Sequence, residues 1–309
     1  MPTVRGAVRR LRGDPIPLPS AREFRYLSRM SAAEILAVIY ELILGREPDP
    51  VGTHSNLLGL EDGTLTPQQV AGWTVASGEW WSVRPFSGLG QSLTLSRMIF
   101  VRSLPPGRRI LDLGGTALGH STGALVLMGY PYEFEDLVVI DLPSEARHEI
   151  YRESSAHTVT QTHLGPVRYH YHSMVDLKDY ADDSIDLVYS GQSIEHVPFD
   201  AADDVLNEVS RVLRPGGYLA IDTPNARVTR LQQDQFIDPD HMYEYTNIEM
   251  IEKLSRAGFQ IVEKKGLNYA GPSLAAGRFD ADQVATARGL FAQIEDCYLL
   301  AYLCQLPLN

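Results

Sequence analysis

Residues 108–122 read RRILDLGGTALGHST, an apolar run that ends in an acid and a glycine-rich turn. The run predicts a strand that ends near Asp112, and a helix is predicted from about residue 120. Glycine lets a backbone approach a ligand closely, but this turn lacks the GxGxxG spacing of dinucleotide-binding folds. Asp112 would repel a phosphate and would accept a hydrogen bond from a cationic amine. The turn therefore predicts a site for a ligand that carries an amino group.

Downstream of Arg108, predicted strands and helices alternate, which is typical of an α/β domain with a mainly parallel sheet. We predict strands near 109–113, 136–141, 167–173, 185–190, 217–222, 259–265 and 296–304. We predict helices near 120–129, 144–155, 201–213 and 246–257. The second strand ends at Asp141, an acid that can accept hydrogen bonds from both hydroxyls of a ribose. Nicotinamide and adenosyl cofactors share this feature, so Asp141 does not distinguish between them.

Two further stretches help to choose between these two types of cofactor. They are DDSIDLVYSGQSIEHV at 182–197 and LNEVSRVLRPGGYLAIDTPN at 206–225. Together with the glycine-rich turn, they resemble the class I S-adenosylmethionine-dependent methyltransferases over about residues 95–309. The resemblance implies an α/β, Rossmann-like sheet of seven strands with an antiparallel last strand, and S-adenosylmethionine as the cofactor. A non-catalytic adaptor with the same fold is the alternative, but Asp112, Gly114, Asp141 and the Pro-Gly-Gly turn at 215–217 are all retained.

The same resemblance implies a set of cofactor contacts. Asp112 and Gly114 are expected at the methionine end of S-adenosylmethionine, and Gly115 and Thr116 continue that loop. The remaining expected contacts are Asp141 at the ribose, Leu142 against adenine, Ser173 and Met174 at the adenine amine, and Ser190 under the methionine moiety. The loop at 114–119 reads GGTALG and departs from the usual GxG of the family.

A Glu-His pair follows the fourth predicted strand. Methyl transfer from a sulfonium is an in-line displacement, and a hydroxyl acceptor becomes more reactive when a base removes its proton. Glu195 and His196 follow the strand beside which the resemblance places the activated methyl group, and His196 is the first candidate base. The alternative is that the pair packs or caps the first turn of a helix, where an acid suits the helix dipole.

A second group of ionisable residues follows the fifth predicted strand: Asp238, Asp240, His241, Glu244 and Tyr245 fall within eight residues. DPDHMYEYT at 238–246 is similar to the substrate loop of methyltransferases that act on sugars and bacterial polysaccharides. Asp222, Asp238, Asp240 and His241 are candidate ligands of Mg²⁺, which would lower the pKa of a bound hydroxyl. His241 is also the second candidate base. A Pro-Asp turn that caps the next helix is the alternative.

These residues predict an O-methyltransferase for a hydroxyl of a sugar or oligosaccharide, with a mannoside in polysaccharide biosynthesis as one candidate acceptor. A lipid, a quinone or another small natural product is the alternative. An apolar acceptor would favour a more apolar segment than QQDQFIDPDHMYEYT at 232–246, so the sugar is preferred.

The N-terminal part differs in organisation. Residues 1–30 hold seven arginines and two acids, which predicts a basic arm. Residues 31–90 are predicted to form a helical module whose first helix begins with a Ser31–Glu34 capping box and stops at Gly45. LGREPDPVG and the following residues to Trp80 are similar to a small bacterial helical module of unknown function, found in some proteins linked to surface polysaccharides. The methyltransferase domain is then expected at 91–309. The module could pack on that domain, close over its active site or form a homodimer interface.

Composition limits the expected partners and location. The 309 residues include 27 Lys and Arg against 39 Asp and Glu, a net charge of −12 that disfavours a nucleic acid partner. Because no run of about 18 apolar residues occurs, we expect no membrane span. The lack of an apolar signal core and the presence of only two cysteines favour the cytoplasm.

Overall fold

The structure is a computed structural model of the chain. It describes residues 31–44, 48, 50–67, 70, 74, 88–116, 121–143 and 159–308. The predicted basic arm at 1–30 and the predicted helix near 144–155 lie outside these residues. The chain divides into two compact units, Met1–Trp81 and Ser82–Asn309.

The first unit contains two described helices, α1 (Ala32–Leu44) and α2 (Pro50–Glu61). The predicted capping box forms at the start of α1, where the Ser31 N–H donates to Glu34 Oε2 at 2.8 Å and the Glu34 N–H donates to Ser31 Oγ at 3.4 Å. Ile35 and Ile39 of α1 are buried. The predicted start of this helix is therefore confirmed.

A nine-stranded sheet forms the centre of the second unit. Its strands are β1 (Arg109–Leu113), β2 (Asp136–Asp141), β3 (Thr160–Gln161), β4 (Pro166–Tyr171), β5 (Ile185–Gly191), β6 (Leu213–Pro224), β7 (Gln260–Tyr269), β8 (Leu290–Phe291) and β9 (Cys297–Gln305). Their order is β3-β4-β2-β1-β5-β6-β9-β7-β8. Strand β9 runs antiparallel to both β6 and β7, which confirms the predicted antiparallel last strand.

The prediction of seven strands requires a correction. The seven predicted strands are present in the order β4-β2-β1-β5-β6-β9-β7, and two short strands extend the sheet at its edges. Strand β3 pairs antiparallel with β4, and β8 pairs antiparallel with β7. Because β3 and β8 are two residues long, neither has the hydrophobic periodicity that identifies a strand in a sequence.

Seven helices of the second unit are described. They are α3 (Gly88–Arg102), α4 (Gly123–Leu127), α5 (Ala201–Val212), α6 (Ala226–Gln232), α7 (Asn247–Arg256), α8 (Gly271–Ala276) and α9 (Ala281–Thr286). Helix α5 shows how they pack: its apolar face, with Val205, Leu206 and Val209, is buried in the core beside the sheet. None of the described helices has the length and apolarity that a membrane crossing requires.

The predicted tight turn after α5 is retained as an irregularity within β6. Ile185 pairs with Leu213, whereas Leu187 pairs with Tyr218, so the β6 strand carries extra residues between these pairs. Gly216 lies in this stretch with a φ of +76°, a left-handed conformation that glycine adopts without steric cost. The Pro-Gly-Gly sequence therefore forms an irregularity near the start of β6, directly after the end of α5.

Because β1, β2, β4, β5 and β6 are parallel, their carboxyl ends meet at one edge of the sheet. Asp112, Asp141, Ser190 and Asp222 lie at or next to the ends of four of these strands. In open α/β sheets, ligands bind outside this edge. The topology therefore gathers residues that are far apart in the sequence.

Helix α7 begins where the segment after β6 ends. The Thr246 N–H donates to Glu249 Oε2 at 2.8 Å, and the Glu249 N–H donates to Thr246 Oγ1 at 3.3 Å, which is a reciprocal capping box. The Tyr243 hydroxyl donates to Glu249 Oε1 at 2.6 Å. The cap therefore anchors the segment that carries His241 as well as the helix.

We expect Thr246→Ala to lower the free energy of unfolding by about 1 kcal/mol, because the Glu249 N–H loses its acceptor. Urea denaturation measures this loss. Thr246→Ser keeps the hydroxyl and serves as the control, and equal stability of the alanine variant and the wild type would contradict the assigned cap.

Candidate active site

The carboxylate of Asp112 is fully buried at the end of β1. Its Oδ2 accepts a hydrogen bond from the Leu125 N–H of α4 at 2.9 Å. Its Oδ1 has no hydrogen-bond partner among the described residues. Burial raises the pKa of Asp112 to about 7, against the opposing effect of the hydrogen bond from Leu125. A buried acceptor with unused capacity is suited to a cationic donor, as the sequence analysis predicted.

The first residues of the glycine-rich turn enclose this carboxylate. Gly114 has a φ of +67°, and a Cβ at this position would lie 2.5 Å from the Cβ of Ser193. A Cβ at Gly115 would lie 2.2 Å from Cγ of Asp112. Neither position can take a larger residue without a shift of its neighbours, which explains the two consecutive glycines. The rest of the turn, at 117–119, lies outside the described residues.

The predicted ribose and adenine contacts lie beside this turn. The Thr116 N–H donates to Asp141 Oδ2 at 3.3 Å, and the Leu142 N–H donates to Asp141 Oδ1 at 2.7 Å. The side chain of Leu142 is 40% exposed, so an apolar surface is available to a flat ring. The Thr116 Oγ1 is buried and has no hydrogen-bond partner within the described part of the chain.

The other predicted cofactor residues complete the same edge of the sheet. Ser190 Oγ and Ser193 Oγ lie 2.7 Å apart at the end of β5. Met174 Cε lies 3.7 Å from the position that a Cβ on Gly114 would take, and Ser173 directly precedes Met174 after β4. Every predicted cofactor residue thus lies at or just beyond the carboxyl end of β1, β2, β4 or β5.

A buried ion pair occupies the end of β6. Arg97 Nε of α3 donates to Asp222 Oδ1 at 2.6 Å. The Tyr189 hydroxyl donates to Asp222 Oδ2 at 2.6 Å, and Gln192 Nε2 donates to Asp222 Oδ1 at 2.9 Å. Asp222 is fully buried, and both of its oxygens accept from these donors. The structure therefore assigns Asp222 to an ion pair, rather than to the Mg²⁺ site predicted from the sequence.

Glu195, His196 and His241 form an acid–imidazole group, with one potential ligand atom from each residue within 4.8 Å of the others. The ring centroids of the two histidines lie 4.8 Å apart in an edge-to-face arrangement. The Glu195 carbonyl accepts the N–H groups of Met242 at 2.8 Å and Tyr243 at 3.0 Å. These two backbone hydrogen bonds hold His241 next to the turn after β5, so both candidate bases are brought together.

Within this group, the carboxylate of Glu195 is fully buried. Its Oε2 accepts from the Thr223 hydroxyl at 2.9 Å, and its Oε1 has no hydrogen-bond partner among the described residues. Burial raises the pKa of Glu195 to about 7, although the charge of His241 opposes this effect.

His241 is 8% exposed, and its Nδ1 lies 2.7 Å from Oε1 of Glu244. Glu244 is itself buried and accepts hydrogen bonds from the Ile237 N–H at 2.8 Å and from the Thr229 hydroxyl. Burial by itself would lower the pKa of His241, but the Glu244 hydrogen bond and the charge of Glu195 outweigh it and raise the pKa. Because Glu244 occupies Nδ1, the Nε2 of His241 is the atom available for chemistry. Sequence analysis placed Glu244 in the cluster without a role, although its i+3 spacing from His241 was a usable signal.

His196 is exposed, and its Nδ1 lies 3.2 Å from the backbone carbonyl oxygen of Asp240. Partial removal from water and the nearby His241 lower the pKa of His196. The Asp240 N–H donates to Asp238 Oδ1 at 2.9 Å, and the His241 N–H donates to the Asp238 carbonyl at 3.1 Å. Asp238 and Asp240 thus form a Pro-Asp turn, as in the alternative, but the next helix is capped by Thr246 and not by this turn. His241 is the member of the predicted Mg²⁺ ligand set that belongs to the acid–imidazole group.

The cofactor residues and the acid–imidazole group meet at Ser193. This residue lies against Gly114 and directly precedes the 3₁₀ turn Ile194–His196, which carries two members of the group. The charges of Arg97 and Asp222 act on the two parts. Burial raises the pKa of Asp112 and the Arg97 cation opposes this rise, whereas the Asp222 anion adds to the effect of burial on the pKa of Glu195.

Known proteins share this arrangement of strands. Residues 111–221 match the family model described as "Methyltransferase domain". This segment is therefore similar to a methyltransferase domain. A protein of Mycolicibacterium smegmatis, described as "Probable S-adenosylmethionine-dependent methyltransferase", is 38% identical over 94 residues, which are 30% of this chain and 35% of that protein. A Mycobacterium tuberculosis protein of the same description is 40% identical over 93 residues, 30% of this chain and 33% of that protein.

The chain thus spans about a third of the length of the curated relatives it matches. A solved chain from the complex that contains the Haloferax volcanii Trm112 methyltransferase activator covers 74% of this chain and 95% of its own length. That chain aligns with a TM-score of 0.51 at 18% sequence identity. This similarity confirms the predicted Rossmann-like α/β fold of the methyltransferase domain.

We expect Arg97→Met to lower the free energy of unfolding by about 3–5 kcal/mol, because Asp222 would remain buried without its cation. Denaturant unfolding measures the loss, and Arg97→Met combined with Asp222→Asn should restore a large part of it. Arg108→Met removes an exposed ion pair with Glu135 and should cost less than about 1 kcal/mol. Equal losses from the two single arginine variants would contradict this role of Arg97.

Proposed function

We propose that the chain is an S-adenosylmethionine-dependent O-methyltransferase that acts on a hydroxyl of a sugar or oligosaccharide. The observation that carries the proposal is the position of Ser193, which lies against Gly114 beside the buried Asp112 carboxylate and directly precedes the turn with Glu195 and His196 of the acid–imidazole group. This reaction requires the methyl donor to lie next to the side chains that activate the acceptor hydroxyl.

The residues at the ends of β1 and β2 fit S-adenosylmethionine. The unpartnered Oδ1 of Asp112 would accept a hydrogen bond from the ammonium group of the cofactor, and Asp141 would accept from the ribose hydroxyls. Leu142 would lie against the adenine. The predicted residues Ser173, Met174 and Ser190 would line the rest of the pocket. When bound, the cofactor supplies a methyl group activated by a positively charged sulfur.

Methyl transfer forms a carbon–oxygen bond and breaks the sulfur–carbon bond, whose electron pair remains on sulfur. The acceptor hydroxyl must also release its proton. Because a hydroxyl has a high pKa, the transfer gains from a base or a cation near the oxygen. Glu195, His196 and His241 are the groups that would promote this proton loss beside the methyl group.

The preference for a sugar is supported by exposed polar residues in the segment that leads to His241. The segment at 232–235 reads QQDQ and is exposed, as is Asp240, so a polar acceptor would meet hydrogen-bonding side chains. Met242 is 54% exposed and directly follows His241, and it is the observation that favours the alternative, a lipid, a quinone or another apolar acceptor.

A panel of mannosides, other glycosides, quinols and lipids tests the proposed acceptor with isotope-labelled S-adenosylmethionine and mass spectrometry. We expect the label on a glycan, and we expect His241→Gln or Glu195→Gln to lower kcat by about 100-fold or more. The control is His163→Gln, an exposed histidine at the opposite end of β4, which should leave kcat unchanged. Label on a quinol or lipid alone would contradict the sugar assignment.

Binding of S-adenosylmethionine should strengthen as the pH rises through about 7, where Asp112 ionises. Below that pH the proton on Asp112 competes with the ammonium group, so affinity should fall by up to about tenfold per pH unit. Calorimetric titrations between about pH 5.5 and pH 7.5 measure this dependence. Asp112→Asn should bind weakly with little pH dependence, and a pH-independent wild type would contradict the contact.

A further inference from the structure

We propose that Glu195, His196 and His241 bind a divalent transition-metal cation of the Zn²⁺ type. The proposal deepens the proposed function, on which it rests for one point only, that the acceptor hydroxyl occupies the open position on the cation. The site itself is argued from the three side chains and their hydrogen bonds.

Each residue of the group has one polar atom engaged and one available. The engaged atoms are Nδ1 of His241 with Glu244, Nδ1 of His196 with the Asp240 carbonyl, and Oε2 of Glu195 with Thr223. The available atoms are the two Nε2 atoms and Oε1 of Glu195. This Oε1 is fully buried and has no hydrogen-bond partner among the described residues. Burial of an unpartnered carboxylate oxygen is costly, and a cation would satisfy it.

The hydrogen bonds of the two histidines are those that metal-binding imidazoles make. A histidine ligand commonly donates its other ring N–H to a carboxylate or to a backbone carbonyl, which fixes the tautomer and the orientation of the ring. Glu244 does so for His241, and the Asp240 carbonyl does so for His196. Glu244 is therefore a positioning residue, held in turn by Thr229 and the Ile237 N–H.

The geometry is close to that of a three-ligand centre. One potential ligand atom from each of the three residues lies within 4.8 Å of the others, compared with about 3.4 Å between ligands of tetrahedral zinc. Side-chain rotations that shorten the separation of these atoms by up to about 1.4 Å would close the difference. His196 is exposed and can make most of this movement, whereas Glu195 and His241 are buried. Three protein ligands leave the fourth position open, as in catalytic zinc sites.

The ligand types select the cation. Two imidazoles and one carboxylate suit zinc and neighbouring transition metals, whereas Mg²⁺ prefers oxygen ligands alone. The site therefore shares only His241 with the Mg²⁺ site expected at Asp222, Asp238, Asp240 and His241, and it suits a different metal.

A cation in this position would lower the pKa of the bound hydroxyl, so that its proton leaves to solvent before the carbon–oxygen bond forms. The negative charge then resides on the oxygen that attacks the methyl carbon. The turn that carries Glu195 and His196 follows Ser193, which lies against Gly114 of the cofactor pocket.

Calorimetry on the full chain, stripped with a chelator and dialysed, tests the site with Zn²⁺, Mn²⁺ and Mg²⁺ as separate probes. We expect one equivalent of Zn²⁺ per chain, weaker Mn²⁺ and weakest Mg²⁺. Glu195→Gln, His196→Gln and His241→Gln should each weaken Zn²⁺ binding by more than about 100-fold, and Glu244→Gln by about 10- to 100-fold. His163→Gln, which leaves the group intact, should bind as the wild type does.

His196→Gln keeps the test decisive if a buried variant fails to fold, because His196 is exposed. Circular dichroism and thermal unfolding check the fold of each variant. Zn²⁺ should raise the Tm of the wild type and of His163→Gln, and it should not raise the Tm of the three ligand variants. Absence of a stoichiometric Zn²⁺ site, or a site retained in all three variants, would overturn the proposal. Glycan methylation that survives chelation would then leave the proposed function standing, with the group as proton acceptor. A Zn²⁺ site that depends on the group, without methylation of any acceptor, would uphold the site and overturn the proposed function.

Discussion

The burial of the Asp112 carboxylate at the end of β1 is the constraint around which the site is organised. A buried carboxylate needs donors, and the Leu125 N–H supplies one to a single oxygen. The turn must pass close to the charge, which requires a glycine at 115, and must reverse direction against Ser193, which requires a glycine at 114. The unpartnered oxygen is what makes this strand end a binding site and not only a turn.

Charged side chains near the same edge of the sheet act on one another. Burial raises the pKa of Asp112 and the Arg97 cation opposes this rise, whereas burial raises the pKa of Glu195 and the Asp222 anion adds to it. These four residues come from α3, β1, β6 and the turn after β5. Arg97 is the cation that permits two buried acids to lie near each other. Loss of this arginine would therefore disturb both the cofactor residues around Asp112 and the acid–imidazole group.

Glu195 connects the strand end to the segment after β6 in two ways. Its backbone carbonyl holds the chain at Met242 and Tyr243, and its carboxylate faces His241 and accepts from Thr223. The capping box of α7 fixes the other end of the segment. His241 is therefore placed by backbone hydrogen bonds on one side and by Glu244 on the other, so its position does not depend on a bound acceptor.

Local patterns were sufficient for the seven main strands, for the helices α4, α5 and α7, and for the cofactor-binding edge, whereas α3, α6, α8 and α9 were not predicted. Apolar runs bounded by glycine, proline and acids identified the seven main strands, and the acids at their ends identified Asp112 and Asp141, because parallel strands place their carboxyl ends together. The turn at Asp238 and Asp240 was one of two interpretations that the sequence left open. Only folding revealed that Arg97 neutralises Asp222 and that His196 and His241 face Glu195. These relations join residues from separate elements. Their charges depend on burial and on partners that no local pattern contains, whereas a strand or a capping box depends on neighbours within a few residues.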